Sequence, residues 1–283
     1  MPGSRRLRRT ALLLLVVPCL LGSGGGLPPA RAAAWAAWRP DFAERCLIAG
    51  DRQAGREGDG RLADLSELIT YLEDDVALAA PMLATARERG VAICLDDRFD
   101  GTYGAYDYGA EMIVLGERLS FDQRAVILVH ELRHLDRYAL GFCPSLEYDM
   151  NAAVTVRAAA EADAQAVTAL FAWRTKQRGD PDPWDALLAF EHDEDIGLAF
   201  EAAIASGASE ADATRAAFEQ WFASEWRTTT NHRSACMDHL DQLDELDRAP
   251  SEADLPDDWF DGFCVLPGGE DYLCPVPTSP RSP

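Results

Sequence analysis

Basic residues, histidines and long apolar runs are all scarce in this 283-residue chain. It has 26 Lys and Arg against 48 Asp and Glu, a net charge of −22, and five histidines. Because such an acidic surface repels nucleic acid and anionic lipid, no nucleic-acid partner is expected. The longest apolar run, residues 11–21, contains Pro18 and is shorter than the roughly 20 residues that cross a bilayer.

This apolar run lies in a segment with the layout of a secretory signal peptide. Small residues ending in ARAAA follow it before Trp35, and it is preceded by Arg5, Arg6, Arg8 and Arg9. We therefore predict that residues 1–34 are a cleaved signal peptide and that the mature protein is exported, either periplasmic or secreted, without stable insertion in a membrane. The mature chain would have 21 basic and 48 acidic residues, a net charge of −27.

Cysteine pairs with zinc-ribbon spacing are absent, since the chain contains no C-x-x-C. Six of the seven cysteines follow residue 34, and an even number in an exported chain indicates disulfides. Six cysteines allow fifteen pairings, so the sequence does not fix the partners. We put forward two pairings, Cys94 with Cys143 and Cys264 with Cys274.

The length of the mature chain suits one domain, which we place at residues 35–266, with residues 267–283 as a flexible tail rich in Pro, Gly and Ser. Hydrophobic periodicity predicts strands at 91–97 and 112–115, and helices at roughly 63–90, 121–140, 151–178, 183–206 and 209–247. The expected fold class is α+β, mainly helical, with a small β-sheet before the helix at 121–140.

Residues 130–134, HELRH, lie in the middle of the helix predicted at 121–140. On a helix, positions i and i+4 share a face, so His130 and His134 can bind one metal ion. Glu131 is turned about 100° away and can flank the ion as the general base for a bound water. This H-E-x-x-H spacing is typical of zinc-dependent peptidases, and Zn²⁺ is the predicted cofactor. The alternative is a helix whose histidines hydrogen-bond to core carbonyls.

A catalytic zinc site needs a third protein ligand. The pattern H-E-x-x-H-x-x-G-x-x-H is excluded, because Arg137 and Leu140 occupy its glycine and last histidine positions. The next helix offers Glu161 and Asp163, which point about 200° apart. Glu161 is the preferred ligand because alanines surround it and Arg157, one turn earlier, can hold its carboxylate. Asp163 is the weaker alternative.

The stretches LVHELRHLDR, FCP and R-x-x-x-E-A-D-A resemble a metallopeptidase family of unknown function found in exported bacterial proteins, over roughly residues 90–205. The combination of HELRH with E-A-D-A on the next helix also looks like the gluzincin branch of the zincin metallopeptidases. The resemblance implies His130, His134 and Glu161 as metal ligands and Glu131 as the catalytic base. It also implies that the strand at 111–116 is a sheet edge against which a peptide substrate lies.

One position departs from the gluzincin pattern. Many gluzincins have Asp four residues after the third ligand, and Gln165 stands there in this chain. Since an amide can still brace a histidine, we place Gln165, like Arg157, beside the ligands rather than on the metal. The residues that could stabilise a developing oxyanion are Tyr148, His232 and His239, and the sequence does not rank them.

Three functions fit these observations. The first is a zinc-dependent peptidase acting on a peptide or protein substrate. The second is an exported zinc-binding module without catalysis, and the third is a disulfide-braced helical protein without metal. Glu131 discriminates between the first two, because a binding module would tolerate Glu131→Gln whereas a peptidase would lose turnover and keep its metal.

Overall fold

The structure, a computed structural model, describes residues 42–50, 60–75, 77–96 and 103–275. The predicted signal peptide lies outside the described residues. The elements, in chain order, are α1 (Phe42–Arg45), β1 (Cys46–Ile48), α2 (Arg61–Glu73), α3 (Ala79–Arg89), β2 (Ala92–Asp96), β3 (Gly104–Asp107), β4 (Met112–Gly116), α4 (Phe121–Ala139), α5 (Met150–Gln177), α6 (Asp182–Leu188), α7 (Glu194–Ala205), α8 (Glu210–Trp221) and α9 (Glu225–Glu245).

Helices dominate the described residues, and the strands precede the helix that carries HELRH. This confirms the predicted mainly helical α+β class with a small sheet before that helix. Within the described ranges, no helix combines the length and the apolar composition that a membrane span requires.

Three of the five helices predicted from the sequence are interrupted by a turn in the structure. The chain turns between α2 and α3, between α6 and α7, and between α8 and α9, so three predicted helices are each a pair. At the last of these turns, the side chain of Ser224 accepts a hydrogen bond from the backbone N–H of Arg227 and begins a new helix. Apolar residues continue through the turn, and periodicity alone therefore does not detect the break.

The four strands form one mixed sheet in the order β1-β2-β4-β3. Strand β4 pairs in parallel with β2 and antiparallel with β3, so it lies inside the sheet. The prediction that residues 111–116 form the edge is therefore wrong. The two edge strands of this sheet are β1 and β3. Strand β3 is the edge next to β4, with Gly104 opposite Leu115 and Asp107 opposite Met112.

The disulfides confirm one of the two proposed pairings. Cys264 is bonded to Cys274 as predicted, but Cys94 is bonded to Cys46 rather than to Cys143. Cys46 on β1 lies directly opposite Cys94 on β2, with the two Cα atoms 4.0 Å apart. The pairing of β1 with β2 thus determines that Cys94 bonds to Cys46, because it brings the two side chains together.

Helix α4 begins with a capping box, in which Ser120 and Gln123 exchange side-chain and backbone hydrogen bonds. The helix packs on the sheet with one face and on α5 with another. Helix α5 is rich in buried alanines, which allow the two helix backbones to approach closely. A polar face of α4 is thereby enclosed between β3 and α5.

Part of the predicted tail, residues 267–275, lies within the described residues. Tyr272 is 1% exposed, and its hydroxyl donates a hydrogen bond to Asp163 on α5. The Cys264–Cys274 disulfide closes this segment into a loop. Tyr272 and the disulfide therefore attach this segment to the rest of the protein, although most of residues 268–275 are exposed. Residues 276–283 lie outside the described residues.

Candidate metal centre

Three potential ligand atoms meet between α4 and α5. His130 Nε2 lies 3.1 Å from His134 Nε2, and Glu161 Oε2 lies 3.4 Å from the first and 3.6 Å from the second. Ligands of a tetrahedral ion with bonds of about 2.0–2.1 Å are about 3.3 Å apart. The three atoms are therefore spaced as one small ion requires, and two imidazoles with one carboxylate form a donor set that suits zinc.

The two helices place these ligands for simple reasons. His130 and His134 are one turn apart on α4 and share the face that α5 covers. Glu161 lies on the facing side of α5, where Ala160 and Ala162 are buried and leave room for close approach. The side chain of Glu161 is 29% exposed, so the site opens to solvent on one side.

Gln165 braces one of the histidines. Its Oε1 lies 2.9 Å from His130 Nδ1, and Gln165 follows Glu161 by one helical turn. Since an amide oxygen can only accept, the neutral ring carries its proton on Nδ1 and turns the Nε2 lone pair to the site. His134 has no comparable brace, because its buried Nδ1 has no hydrogen-bond partner among the described residues.

The charges at the site are strongly coupled. Burial opposes the protonation of His130, but the carboxylates of Glu161 and Glu131 outweigh it and raise its pKa to about 9. Burial would raise the pKa of Glu161, yet the charges and hydrogen bonds of His134 and His130 hold it well below its ordinary value. At neutral pH, these shifts favour the protonated form of His130 in the metal-free protein, and a cation that binds there must displace that proton.

Glu131 is buried beside the ligands and against the edge strand. Burial is the main cause that raises the pKa of its carboxylate, which also accepts a hydrogen bond from the backbone of Tyr106 on β3. Gly104 allows this close approach, since a Cβ there would lie 2.5 Å from Ile127 Cγ2 and 3.3 Å from Glu131 Oε1. A side chain at residue 104 would push β3 away from α4.

A cleft of about 780 Å³ opens over this centre. Its walls are residues 104–108 of β3 and the following turn, the inner faces of α4 and α5, the loop at 144–146, and α9 from Ser234 to Gln242. Tyr106, Tyr108 and Tyr138 give it an aromatic side, with the rings of Tyr106 and Tyr108 5.9 and 5.7 Å from that of Tyr138. The candidate metal ligands therefore face a space that can accept a substrate.

A model of the family described as "Putative metallopeptidase family (DUF6782)" matches residues 30–274. The chain belongs to this family. Searches among curated proteins and among solved structures give no match for it. The description agrees with a site that can bind a metal, and it makes a peptide or protein the expected substrate of this metallopeptidase family member.

The structure separates the two acidic candidates for the third ligand. Glu161 faces the histidines, whereas the fully buried carboxylate of Asp163 faces the other way and pairs with Arg133 and Tyr272. Arg157 also differs from the prediction that it holds Glu161, because its hydrogen bond is to Asp238 on α9. It still lies close enough to interact electrostatically with Glu161.

The three candidates for oxyanion stabilisation lie in different places. His239 lines the cleft, whereas Tyr148 and His232 are not among its lining residues. Sequence reasoning missed Tyr106, Tyr108 and Tyr138. The position of Tyr138, one turn after His134 on the same face of α4, is a signal in the sequence that identifies it as a neighbour of the site.

Proposed function

We propose that the protein is a zinc-dependent peptidase of the zincin type, with a gluzincin-like arrangement of ligands. The observation that supports this most strongly is the triangle of His130 Nε2, His134 Nε2 and Glu161 Oε2, with sides of 3.1–3.6 Å, beside a buried glutamate. Membership of a metallopeptidase family supports the same reaction class.

In this proposal, His130, His134 and Glu161 hold the zinc and Glu131 moves the proton. When bound, the zinc would supply a Lewis acid that lowers the pKa of a water to about 7. Glu131 is placed to accept a proton from the attacking water at its carboxylate and to deliver it to the nitrogen of the leaving amine. Each cycle consumes one water and one peptide bond, and it yields one carboxylate and one amine. The raised pKa of Glu131 favours this return of the proton.

The substrate would lie along β3 rather than along β4. The outer side of β3 borders the cleft, and an edge strand presents backbone N–H and C=O groups that can pair with an extended peptide. Such pairing places a scissile carbonyl near the ligands without requiring a particular side chain. The hydrogen bond from the backbone of Tyr106 to Glu131 joins this strand directly to the proposed base.

We also propose that the protein acts outside the cytoplasm, after removal of residues 1–34. The disulfides Cys46–Cys94 and Cys264–Cys274 support this, since such bonds persist in oxidising compartments. Amino-terminal sequencing of the protein from an exported fraction should begin after Ala32 or Ala34, and an intact amino terminus in the cytoplasm would contradict the proposal.

Zinc content and turnover together test the function. Elemental analysis after dialysis should find one zinc per chain in the wild type and in Glu131→Gln, and none in Glu161→Ala. Glu201→Ala, which removes an exposed acid on α7 that pairs with Lys176, serves as the matched control and should keep its zinc. Hydrolysis of a peptide library should be present in the wild type and lost in Glu131→Gln.

Two other outcomes would contradict the peptidase. Zinc in the wild type without hydrolysis of any peptide would indicate a zinc-binding module. The absence of zinc from the wild type, even after reconstitution, would leave a disulfide-braced helical protein and would reject the peptidase.

A further inference from the structure

The cleft extends to one side of the metal ligands. Its lining on α4 runs from His130 to Tyr138, and its lining on α5 runs from Glu161 back to Ala153. Among the described residues, no side chain of α4 before His130 or of α5 after Glu161 lines it. At about 1.5 Å per helical residue, the eight residues from Glu161 to Ala153 span about 12 Å, which is enough for three or four extended peptide residues.

Two polar side chains in this part of the cleft have nitrogen atoms without hydrogen-bond partners among the described residues. Arg157 donates to Asp238 through Nη1, and its Nε and Nη2 have no hydrogen-bond partner among the described residues. His239 is 5% exposed, and its buried Nε2 likewise has no partner there. Because a buried polar atom without a partner costs free energy, His239 Nε2 indicates a ligand in this part of the cleft. The side chain of Arg157 is 31% exposed, and its remaining N–H groups can donate to acceptor oxygens of the same ligand.

The sign of that ligand follows from the charges around it. Arg157 is the sole Arg or Lys among the described residues that line the cleft. Four acids also line the cleft. Glu161 and Glu131 belong to the proposed metal centre, Asp238 pairs with Arg157, and Asp107 accepts a hydrogen bond from the backbone of Ala110. A carboxylate matches the fork of a guanidinium better than any other group of a peptide.

We propose that Arg157, together with His239, binds the free C-terminal carboxylate of the substrate, so that the enzyme removes short fragments from the C-terminus of peptides. A side-chain carboxylate of Asp or Glu has the same chemistry. We favour the chain terminus because the α5 lining of the cleft stops at Ala153, two helical turns from Glu161. This inference rests on the proposed peptidase function.

The direct test compares three libraries of N-acetylated octapeptides with the zinc-loaded enzyme. The first has free C-termini, the second is identical but amidated, and the third is amidated with Glu at its last position. Mass spectrometry should show loss of one to three C-terminal residues from the first library, at a kcat/KM on the order of 10- to 100-fold above that of the second. An advantage confined to the third library would assign Arg157 to a side-chain carboxylate and overturn the proposal.

Variants of Arg157 and Asp238 distinguish two roles of Arg157. It could bind a substrate carboxylate, or it could only link α5 to α9 through its ion pair with Asp238. Arg157→Gln should collapse the preference for free acids over amides, and Arg157→Lys should restore part of it. Asp238→Ala breaks the same ion pair but keeps the guanidinium, so it should keep the preference. If Asp238→Ala behaves like Arg157→Gln, the arginine acts through helix packing and the proposal is wrong. Arg215→Gln, at an exposed ion pair on α8, is the matched control and should leave the preference unchanged.

A binding measurement makes the failure of this inference distinguishable from that of the peptidase. Calorimetry with zinc-loaded Glu131→Gln should show that acetyl-tetraalanine binds at least tenfold more tightly as the acid than as the amide. Equal cleavage and equal binding of acids and amides would reject the carboxylate subsite and leave the peptidase intact. No cleavage of any library by the zinc-loaded wild type would reject the peptidase, and the exopeptidase with it.

Discussion

Helices α4 and α5 hold two buried polar clusters on opposite sides, and the clusters differ in how their groups are satisfied. In the first, Arg133 donates twice to Asp163, to Asp136 and to a backbone carbonyl, while Tyr272 donates to Asp163. In the second, His130, His134 and Glu161 place two ring nitrogens and a carboxylate oxygen within 3.6 Å of one another.

The difference explains which cluster is structural. Around Asp163, the donors and acceptors of the protein match, so the cluster is complete without a ligand and fixes the C-terminal loop to the helices. Around Glu161, three atoms with lone pairs converge, and they can lie so close only if a proton or a cation lies between them. Glu161 and Asp163 are two residues apart, yet one can bind a metal and the other holds the fold.

The first way to break this comparison is to remove the acid of the complete cluster. Asp163→Ala should lower the free energy of unfolding by about 3–5 kcal/mol, because it leaves the charge of Arg133 buried without its partner. Denaturant unfolding measures this change. Arg215→Ala, at the exposed ion pair with Asp212, should alter it by about 0.5 kcal/mol or less. Loss of zinc from the folded fraction of Asp163→Ala, with unchanged stability, would reverse the two roles.

The second change removes the acid of the ligand cluster. Glu161→Gln should weaken zinc binding by about 100-fold or more, since it replaces a charged ligand with a neutral amide. Competition with a chromogenic chelator gives the affinity, and Glu201→Gln on α7 is the isosteric control. An affinity within a factor of about three of wild type would show that Glu161 is not a ligand.

A smaller effect is expected at the brace behind the ligands. Gln165→Ala removes the acceptor 2.9 Å from His130 Nδ1 and should weaken zinc binding by about 10- to 100-fold. The same chelator competition measures it. Gln165→Glu supplies the acceptor again and should recover most of the affinity, whereas equal losses in both variants would assign the effect to packing.

The last prediction concerns the change in zinc affinity with pH, which is the smallest when it is counted per pH unit. His130 must lose its proton to bind a metal, and its pKa in the metal-free protein is raised to about 9. Zinc affinity should therefore rise about tenfold per pH unit from pH 7 to 9 and level off above that. Glu131→Gln removes one carboxylate that raises this pKa, so its plateau should begin at a lower pH. An affinity that is constant from pH 7 to 9 would contradict this.

Much of α4 and its immediate surroundings could be predicted from local sequence. The capping box at Ser120, the shared face of His130 and His134, and the flanking position of Glu131 all follow from helical geometry within one stretch of chain. The Cys264–Cys274 pair was also predicted, and it closes a short separation of ten residues.

The failures share a different cause. Cys46 meets Cys94 across 48 residues, and β3 rather than β4 forms the edge, because strand order depends on which distant segments pair. Arg157 turns to Asp238 rather than to Glu161 because α9, 81 residues later, packs beside α5. No local pattern contains these contacts.

The sequence by itself determined the pair of histidines and the adjacent glutamate, since the rotation of a single helix places them. The tertiary structure decided which acid lies beside the two histidines and which strand borders the cleft. It also decided which polar atoms inside the cleft have no hydrogen-bond partner among the described residues. The physical reason is that a helix fixes the relative direction of its own side chains, whereas packing between distant segments decides what each side chain meets.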